Sequence, residues 1–382
     1  MTLAITRQGA VDVVILYINV YFGGIMTRIV SAIISISLML CNMISVGAIG
    51  IQEDIDTDIV VNEKYQFLYT EKKCDDHSII REYNKSKNNA LSYGNKTRNT
   101  ASDNEMNYCR NVLRSLGKNQ CFIDQLSIED IEGYLQSEYI VSVESYMKVD
   151  DTGTRANVSK EEALAAAVVD PGFTPTQPNP EGSGYKDGAY YTSTDDYMRI
   201  MYIISYLGNG RYKFSIDAEW LNDPFFRFKD SLGACAQNIA IENDTRSGWY
   251  MYDNIMLINS NYTERRDVKI VLTNFQNAEG LGNWDGSGVV FDLADDSYLD
   301  LANYSYFNNH RIHYEFEGTI HQWQMETNFN TTAMYTHTQI AVNFSLTLSI
   351  STEGTGVGIG IEPVGANKKY FVELDSSIKH IP

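Results

Sequence analysis

The feature that most constrains the fold is a period-two alternation that follows a glycine-rich turn, Gly208-Asn209-Gly210. One set of alternate positions is apolar and the other is polar or charged: Tyr212, Phe214, Ile216, Ala218 and Trp220 against Arg211, Lys213, Ser215, Asp217 and Glu219. Alternate side chains of a strand point to opposite faces of its sheet, and Gly-Asn-Gly favours a tight turn. The pattern predicts a β-hairpin with one face on a core and the other in water.

Similar but weaker patterns recur through the C-terminal half of the chain. They predict strands at residues 237–242, 249–258, 268–273, 289–293, 311–316, 319–329, 339–350 and 370–374. Glu317-Gly318 reads as the turn of one hairpin. About ten strands in roughly 190 residues predict a mainly β fold, an antiparallel β-sandwich of jelly-roll type or a related barrel.

The region before the sandwich is polar and of mixed composition. Residues 49–169 predict a small α+β region with helices at 105–116, 128–136 and 163–167 and a strand at 139–149. Residues 170–188 contain four of the seven prolines, which predicts a linker. The sandwich domain is expected to occupy residues 189–382.

The N-terminal segment has the composition of a cleaved export signal. Arg28 is followed by an apolar run to Met43 and by the small residues Val46-Gly47-Ala48, so residues 26–48 predict a signal peptide cut after Ala48. The alternative is a retained membrane anchor formed by this run or by a second apolar run at residues 11–25, but each run is shorter than the ~20 residues that a spanning helix needs. Residues 22–25 can be encoded by a ribosome-binding site, so translation is expected to begin at Met26, with residues 1–25 upstream of the start.

The charge of the chain bears on its partners. The formal net charge is −19, which disfavours nucleic acid because a chain this acidic repels phosphates. After the signal is removed we expect a secreted or cell-surface protein without membrane contact. The four cysteines of the mature chain, Cys74, Cys109, Cys121 and Cys235, are an even number, which permits disulfides or free buried thiols.

Aromatic residues on polar strands suggest a ligand site. A ring can stack on the apolar face of a sugar, and carbohydrate is therefore the leading ligand class. The candidate residues are Trp249, Tyr250, Tyr252, Trp284, Tyr304 and Tyr306. Packing of these rings in the core is the alternative reading.

Acidic and histidine residues offer two candidate metal sites. Asp292, Asp295, Asp296 and Asp300 supply the oxygen ligands that calcium prefers, although their spacing does not match an EF-hand. A site formed by His313, Glu315 and His321 across the predicted turn would support a secreted hydrolase. No other nucleophile, base or cofactor motif is present, so we expect no catalytic residue and no cofactor apart from this calcium alternative.

A further alternative is a membrane-active protein. Between Ile340 and Ile350, apolar residues alternate with uncharged Ser, Thr, Asn and Ala, as in a membrane-spanning β-strand. A pore-forming hairpin needs a second such strand. Val357, Ile359 and Ile361 alternate with glycine nearby, but Pro363 ends that run.

Several stretches between about residues 120 and 260 resemble a group of uncharacterised exported proteins of Gram-positive bacteria, clostridia- or bacillus-like. The resembling stretches are 126–130, 145–149, 161–164, 212–230 and 245–249. The resemblance implies export and a recurring domain, and it implies no catalytic residue. Taken together, the sequence predicts an exported binding or surface-interaction protein.

Overall fold

A computed structural model of the chain describes residues 4–8, 11–15, 57–62, 67–85, 88, 102–150, 155–166, 196–222, 229–258, 261–278, 284–294, 297–298, 304–320, 329–338, 348–353, 356–361 and 367–378. The predicted signal peptide at 26–48 and the predicted linker at 170–188 lie outside the described residues. By its contacts the chain divides into two units, Met1–Ile55 and Asp56–Pro382. In the first unit, β1 (Ala4–Gln8) pairs with β2 (Val11–Ile15).

The second unit contains the remaining strands. They are β3 (Thr57–Asn62), β4 (Phe67–Lys73), β5 (Ile79–Asn84), β6 (Tyr139–Val149), β7 (Arg155–Val158), β8 (Asp196–Gly208), β9 (Arg211–Trp220), β10 (Lys229–Gln237), β11 (Ile239–Ile258), β12 (Asn261–Val271), β13 (Phe275–Ala278), β14 (Trp284–Asp292), β15 (Ser297–Tyr298), β16 (Tyr304–Ile320), β17 (Phe329–Thr338), β18 (Leu348–Glu353), β19 (Gly356–Ile361) and β20 (Asn367–Ile378). The helices are α1 (Asp103–Ser115), α2 (Gln120–Ile123), α3 (Ile128–Gln136) and α4 (Lys160–Ala166).

The strands form two main antiparallel sheets that pack together, which confirms the predicted mainly β sandwich. The larger sheet has the order β12-β11-β16-β9-β8-β6-β5-β4-β3, with β15 beside β16 and β7 beside β6. The smaller sheet has the order β13-β14-β10-β17-β20. Strands β6 and β8, from either side of residues 170–188, pair directly, so both regions of the chain contribute to one sheet.

The hairpin predicted around Gly208-Asn209-Gly210 is confirmed. Strands β8 and β9 pair from Met198 opposite Trp220 to Gly208 opposite Arg211. The three turn residues have positive φ angles of 88°, 55° and 74°. Glycine and asparagine are the residues that adopt such angles at least cost, which explains why the chain reverses here.

The apolar face of β9 lies in the core between the two sheets. Phe214, Ile216 and Ala218 are fully buried, and the Phe214 ring stacks on Phe316 of β16 with centroids 5.0 Å apart. Leu232 of β10 and Tyr335 of β17 close the core from the smaller sheet. Burial of each large apolar side chain contributes roughly 1.5–3 kcal/mol, so this layer is the main source of stability.

The opposite face of the larger sheet is covered by helices, which corrects the prediction of a face in water. Lys213, Ser215 and Asp217 of β9 are 6 %, 1 % and 2 % exposed. Packed over the same face are α1 and α3, whose apolar residues join a second core with β4, β5, β6 and β8. The alternation showed correctly which residues share a face, but not what covers it.

The helix predicted at 128–136 matches α3 residue for residue, and its start has a clear cause. The Ser127 side chain accepts a hydrogen bond from Asp130 N, and Asp130 Oδ2 accepts one from Ser127 N. This reciprocal cap satisfies two backbone donors, and such a cap stabilises a helix by about 1 kcal/mol. Among the described residues, no helix is long and apolar enough to cross a membrane.

The turn predicted at Glu317-Gly318 is wrong. Strand β16 continues through both residues to Ile320, and Gly318 lies opposite Ile241 of β11 and Tyr212 of β9. A Cβ atom on Gly318 would stand 2.4 Å from Ile239 Cγ2. Glycine is therefore required here by the close approach of the neighbouring strand, not by a turn.

Candidate ligand-binding site

Several of the predicted aromatic residues and the start of the predicted calcium-binding segment lie close together near Tyr250 and Tyr252 of β11. Tyr250 and Tyr252 share a face of this strand, with ring centroids 5.3 Å apart. Their rings join those of Phe291, Phe307 and His310, and we call these five residues the aromatic cluster. The cluster runs from the core, where Tyr250 is 1 % exposed, to the partly exposed Tyr252 and Phe307.

Hydrogen bonds fix the buried half of the aromatic cluster. The Tyr250 hydroxyl lies 2.5 Å from His310 Nδ1 and accepts a 2.9 Å hydrogen bond from Ala294 N. Tyr252 packs its ring edge-on against Phe307 at 5.0 Å. Partial burial raises the pKa of the Tyr252 hydroxyl, so this phenol stays protonated at neutral pH. The partly exposed ring of Tyr252 therefore lies between the buried ring of Tyr250 and that of Phe307.

The acidic segment predicted to bind calcium begins beside this cluster. Asp292 ends β14, is exposed and lies opposite Lys229 of β10. Asp295, Asp296 and Asp300 lie outside the described residues. The bond from Ala294 to Tyr250 brings the start of the segment to the cluster. No group of three or more metal-binding side chains occurs in the part of the chain that the structure describes.

Tyr304 and Tyr306 lie at the start of β16, opposite Leu257 and Ile255 of β11. Strand β15, from within the acidic segment, pairs with β16 at the same point. The backbone therefore brings residues 297–298 and 304–306 together. Of the aromatic residues predicted from the sequence, Tyr250, Tyr252, Tyr304 and Tyr306 thus belong to neighbouring strands.

The other two predicted aromatic residues lie elsewhere. Trp249 points to the helix-covered face and is 8 % exposed, stacked on Phe122 of α2 at 5.3 Å and packed against His313. For Trp249 and Tyr250 the structure agrees with the alternative of core packing, because both are buried against other rings. Trp284 begins β14 opposite Gln237, at the end of that strand remote from Asp292, and is partly exposed.

The charged face of β9 forms a buried ionic network that the sequence did not predict. Its members come from the helical layer, β9 and β16: Lys118, Asp130, Lys213, Asp217, His313 and Glu315. Lys118 Nζ donates to Asp217 Oδ2 at 2.6 Å, and Lys213 Nζ lies 2.9 Å from Asp130 Oδ1. We call these six residues the ionic network.

The metal site predicted at His313, Glu315 and His321 is not formed by the described residues. His313 is 3 % exposed; its Nδ1 lies 2.7 Å from Asp217 Oδ1, and its Nε2 lies 3.3 Å from Glu315 Oε2. His321 lies outside the described residues. Both ring nitrogens of His313 therefore face carboxylates, an arrangement that favours an imidazolium in an ion pair over a metal ligand.

The pKa values of this network agree with that assignment. Burial disfavours the charged form of His313, but its bonds to Asp217 and Glu315 outweigh burial and raise its pKa. Burial also disfavours the Glu315 and Asp217 carboxylates. For Glu315, Lys213 and His313 hold the pKa well below its ordinary value, and for Asp217, Lys118 and His313 lower it. These shifts favour the imidazolium of His313 and the carboxylates of Glu315 and Asp217, and the network joins the helical layer to the sheet.

A second buried ion cluster lies on the same face, around Glu144 of β6. Arg81 Nη1 and Arg199 Nε each donate a 2.7 Å hydrogen bond to its carboxylate. Arg199 also donates to the carbonyl of Gly117, after α1. Burial opposes the carboxylate, yet the two guanidinium groups lower the Glu144 pKa to about 2. Like the ionic network, this cluster ties the sheet to the helical layer.

The sulfur chemistry is settled for the described cysteines. Cys74, Cys109, Cys121 and Cys235 are all free, so the disulfide alternative is not borne out. Burial raises the pKa of Cys109 to about 12 and that of Cys121 to about 11. Cys109 and Cys235 pack as small apolar side chains in the core.

Comparisons with known proteins give no family for the chain. No protein-family model matches it, and searches of curated proteins and of solved structures find no similar protein.

Proposed function

We propose that the protein is an exported binding protein of the cell surface or medium, and that its ligand is a carbohydrate bound at the aromatic cluster. The observation that carries this proposal is the packing of Tyr252 on Phe307, two partly exposed rings that are anchored to the core through Tyr250. Sugars bind proteins through ring stacking together with a few polar groups.

Export is supported by the composition of residues 26–48 and by the resemblance to exported proteins of Gram-positive bacteria. A mature chain recovered from the culture medium or wall of the source organism, with its N-terminus near Ile49, is the expected result. A full-length chain that stays in the membrane fraction would argue against export.

The ligand is tested on a glycan array with the parent protein, Tyr252→Ala and Trp284→Ala. Tyr252 and Trp284 are both partly exposed, but only Tyr252 belongs to the aromatic cluster. We expect a glycan signal that Tyr252→Ala reduces about five- to thirtyfold, since loss of a stacked ring costs roughly 1–2 kcal/mol. Trp284→Ala should leave it unchanged.

Two results would count against this assignment. No signal on a broad array would remove carbohydrate as the ligand class. Loss with Trp284→Ala alone would move the site away from the cluster. Repeating the array with and without calcium tests whether the acidic segment that starts at Asp292 contributes ligands.

A second candidate function, a membrane-active β-protein, is favoured by the register of β18 and β19. Residues 340–347 of the predicted uncharged strand lie outside the described residues, but from Leu348 on the chain forms β18, in which Leu348 lies opposite Ile361 and Ile350 opposite Ile359 of β19. The second arm, at six residues, is shorter than the ~9–11 that a membrane-spanning strand needs. Dye release from phosphatidylcholine vesicles, abolished by Ile359→Lys, would support this function, and the absence of leakage would exclude it.

A further inference from the structure

Strand β12 forms an open edge of the larger sheet. Among the strands that the structure describes, it pairs with β11 alone. It is eleven residues long and contains no proline or glycine, and no bulge interrupts its pairing between Glu264 and Val271. Ile270 and Val271 are 42 % and 71 % exposed. A long, straight edge with exposed apolar residues is a template for another strand.

One hydrogen bond shows which backbone groups of β12 face β11 and which face the edge of the sheet. Leu272 N donates to Gly248 O of β11 at 2.9 Å. Because alternate residues of an antiparallel strand bond to the same neighbour, Ile270 and Val268 also face β11. The N–H and C=O groups of the residues between them point to the open edge: Arg265, Asp267, Lys269 and Val271.

We propose that β12 pairs antiparallel with β12 of a second copy of this chain, about a two-fold axis that passes beside Val268. The two larger sheets then become one continuous sheet. A second copy is favoured as the occupant because, in one register, an acidic residue of this strand lies opposite a basic residue of its copy. That register follows from symmetry.

A dyad perpendicular to the sheet preserves its faces, and residues opposite each other on paired strands share a face. Each residue must therefore lie opposite itself or opposite a residue an even number of positions away. With the dyad at Val268, Asp267 of each copy lies opposite Lys269 of the other. Arg266 then lies opposite Ile270, and Arg265 opposite Val271.

Registers in which the two-fold axis passes beside a neighbouring residue are less favourable. A dyad at Arg266, Asp267 or Lys269 places that residue opposite its own copy, and like charges directly opposite each other are destabilising. A dyad at Ile270 leaves only three residues of each strand paired within β12 and forms no ion pair. The Val268 register is thus favoured over those with a charged residue at the dyad because it places no like charges opposite each other, and over the Ile270 register because more residues are paired.

The surroundings of the strand agree with this pairing. The carboxyl group of Asp267 is close to that of Asp253, and this contact raises the pKa of Asp267. Asp253 already pairs with Arg265 and Arg311, so the carboxylate that would gain a cation from Lys269 of the second copy is that of Asp267. The segment from Glu264 to Lys269 carries three basic and two acidic residues, whereas the whole chain has a formal net charge of −19. Repulsion between copies is therefore weaker at this edge.

The dimer would also pair two aromatic clusters, a consequence that rests on the proposed function. Tyr252 lies opposite Val268 on the same face. Across two copies, the Tyr252 positions are separated by three strand spacings, about 14 Å. Two rings on one surface at this distance would raise the avidity for a repeating glycan.

Disulfide trapping tests the register without any ligand. In Val268→Cys the two new thiols lie opposite each other at a non-hydrogen-bonded pair, where Cβ atoms are close. We expect a covalent dimer on mild oxidation. Ile270→Cys is the matched control, because it lies on the same face but opposite Arg266. Trapping of both variants equally, or of neither, would overturn the register.

Charge exchange tests the interface in sedimentation equilibrium. Asp267→Lys and Lys269→Asp should each weaken dimerisation about tenfold, because each places like charges opposite one another twice. The double variant restores both ion pairs and should dimerise like the parent. A parent protein that remains monomeric at its highest soluble concentration would overturn the proposal and leave the glycan array result unaffected.

Discussion

Lys118 and Asp217 are 99 positions apart in the sequence, yet Lys118 Nζ donates a 2.6 Å hydrogen bond to Asp217 Oδ2 between side chains that are 0 % and 1 % exposed. Lys118 follows α1, whereas Asp217 lies in the middle of β9. The pair therefore joins the helical layer to the face of the sheet opposite the apolar core. Its two charges are satisfied only while the two layers stay together.

Removing one partner of this pair should be costly. Lys118→Met leaves Asp217 buried with His313 as its remaining cation, and a buried charge that loses its partner costs about 3–5 kcal/mol. The double variant Lys118→Met/Asp217→Asn should lose less than the sum of the single losses. Urea unfolding measures these free energies. Arg266→Met, at an exposed ion pair with Glu264, is the control and should leave the unfolding free energy close to that of the parent, because solvent screens exposed ion pairs.

His313 should make stability fall on the alkaline side. Its pKa is raised in the folded protein, so its contribution is complete below about pH 6.5, the unfolded value, and is lost as pH rises through the higher folded value. His313→Gln should remove this decline and lower stability most at about pH 6. Unfolding free energies between roughly pH 5 and 9 provide the measurement. Parallel curves for the two proteins would contradict the assignment of a charged His313.

Glu144 should make the stability of the folded protein fall on the acidic side of neutral pH. Its pKa of about 2 lies below the ordinary value, so its stabilisation is present above about pH 4.5 and is lost as pH falls towards 2. Glu144→Gln should destabilise the protein by a few kcal/mol at pH 7, where Arg81 and Arg199 would lose their carboxylate. The difference from the parent should shrink in acid. An equal difference at both pH values would mean that the loss is one of packing.

Local rules predicted the elements with local causes. The alternation at 139–149 and the cap at Ser127 each depend on a few neighbouring residues, and β6 and α3 occupy the predicted positions. The hairpin at Gly208-Asn209-Gly210 is predictable for the same reason, since its turn needs positive φ angles.

What the sequence could not show is which surfaces meet. The charged face of β9 has the pattern of a strand in water, and only the packing of α1 and α3 over it makes Lys213 and Asp217 interior residues. The partners Lys118 and Asp130 lie far away in the sequence, in a segment with no pattern that points to β9. Likewise, Tyr250 and Tyr252 are the same residue type on the same face of β11, yet Tyr250 is buried and Tyr252 is partly exposed, a difference that the alternation cannot predict.

The thiols should respond very unequally to alkylation. Burial raises the pKa of Cys109 and of Cys235, so few of these thiols are ionised at neutral pH, and both lie in the core. Cys74, which is partly exposed, should react first with iodoacetamide in the native protein. Mass spectrometry of digests after timed labelling identifies the order. An unchanged intact mass on reduction is expected, and a gain of two protons per cysteine pair would contradict free thiols.

Two glycines should respond in opposite ways to the same substitution. A Cβ atom at Gly318 would stand 2.4 Å from Ile239 Cγ2 and 3.0 Å from Ala240 O, whereas one at Gly133 of α3 meets nothing within 4 Å. Gly318→Ala should therefore destabilise the protein by about 1–3 kcal/mol through overpacking. Gly133→Ala should stabilise it by roughly 0.4–1 kcal/mol, because alanine restricts the unfolded chain and favours a helix.

Urea unfolding midpoints of the two variants, compared with the parent, decide the point. The comparison also tests the course of β16, because a glycine in an open turn between two short strands would not meet Ile239. If Gly318→Ala were as stable as the parent, the close approach of β11 to β16 at this position would be wrong. A loss of stability with Gly133→Ala would instead mean that α3 packs against a neighbour at that face.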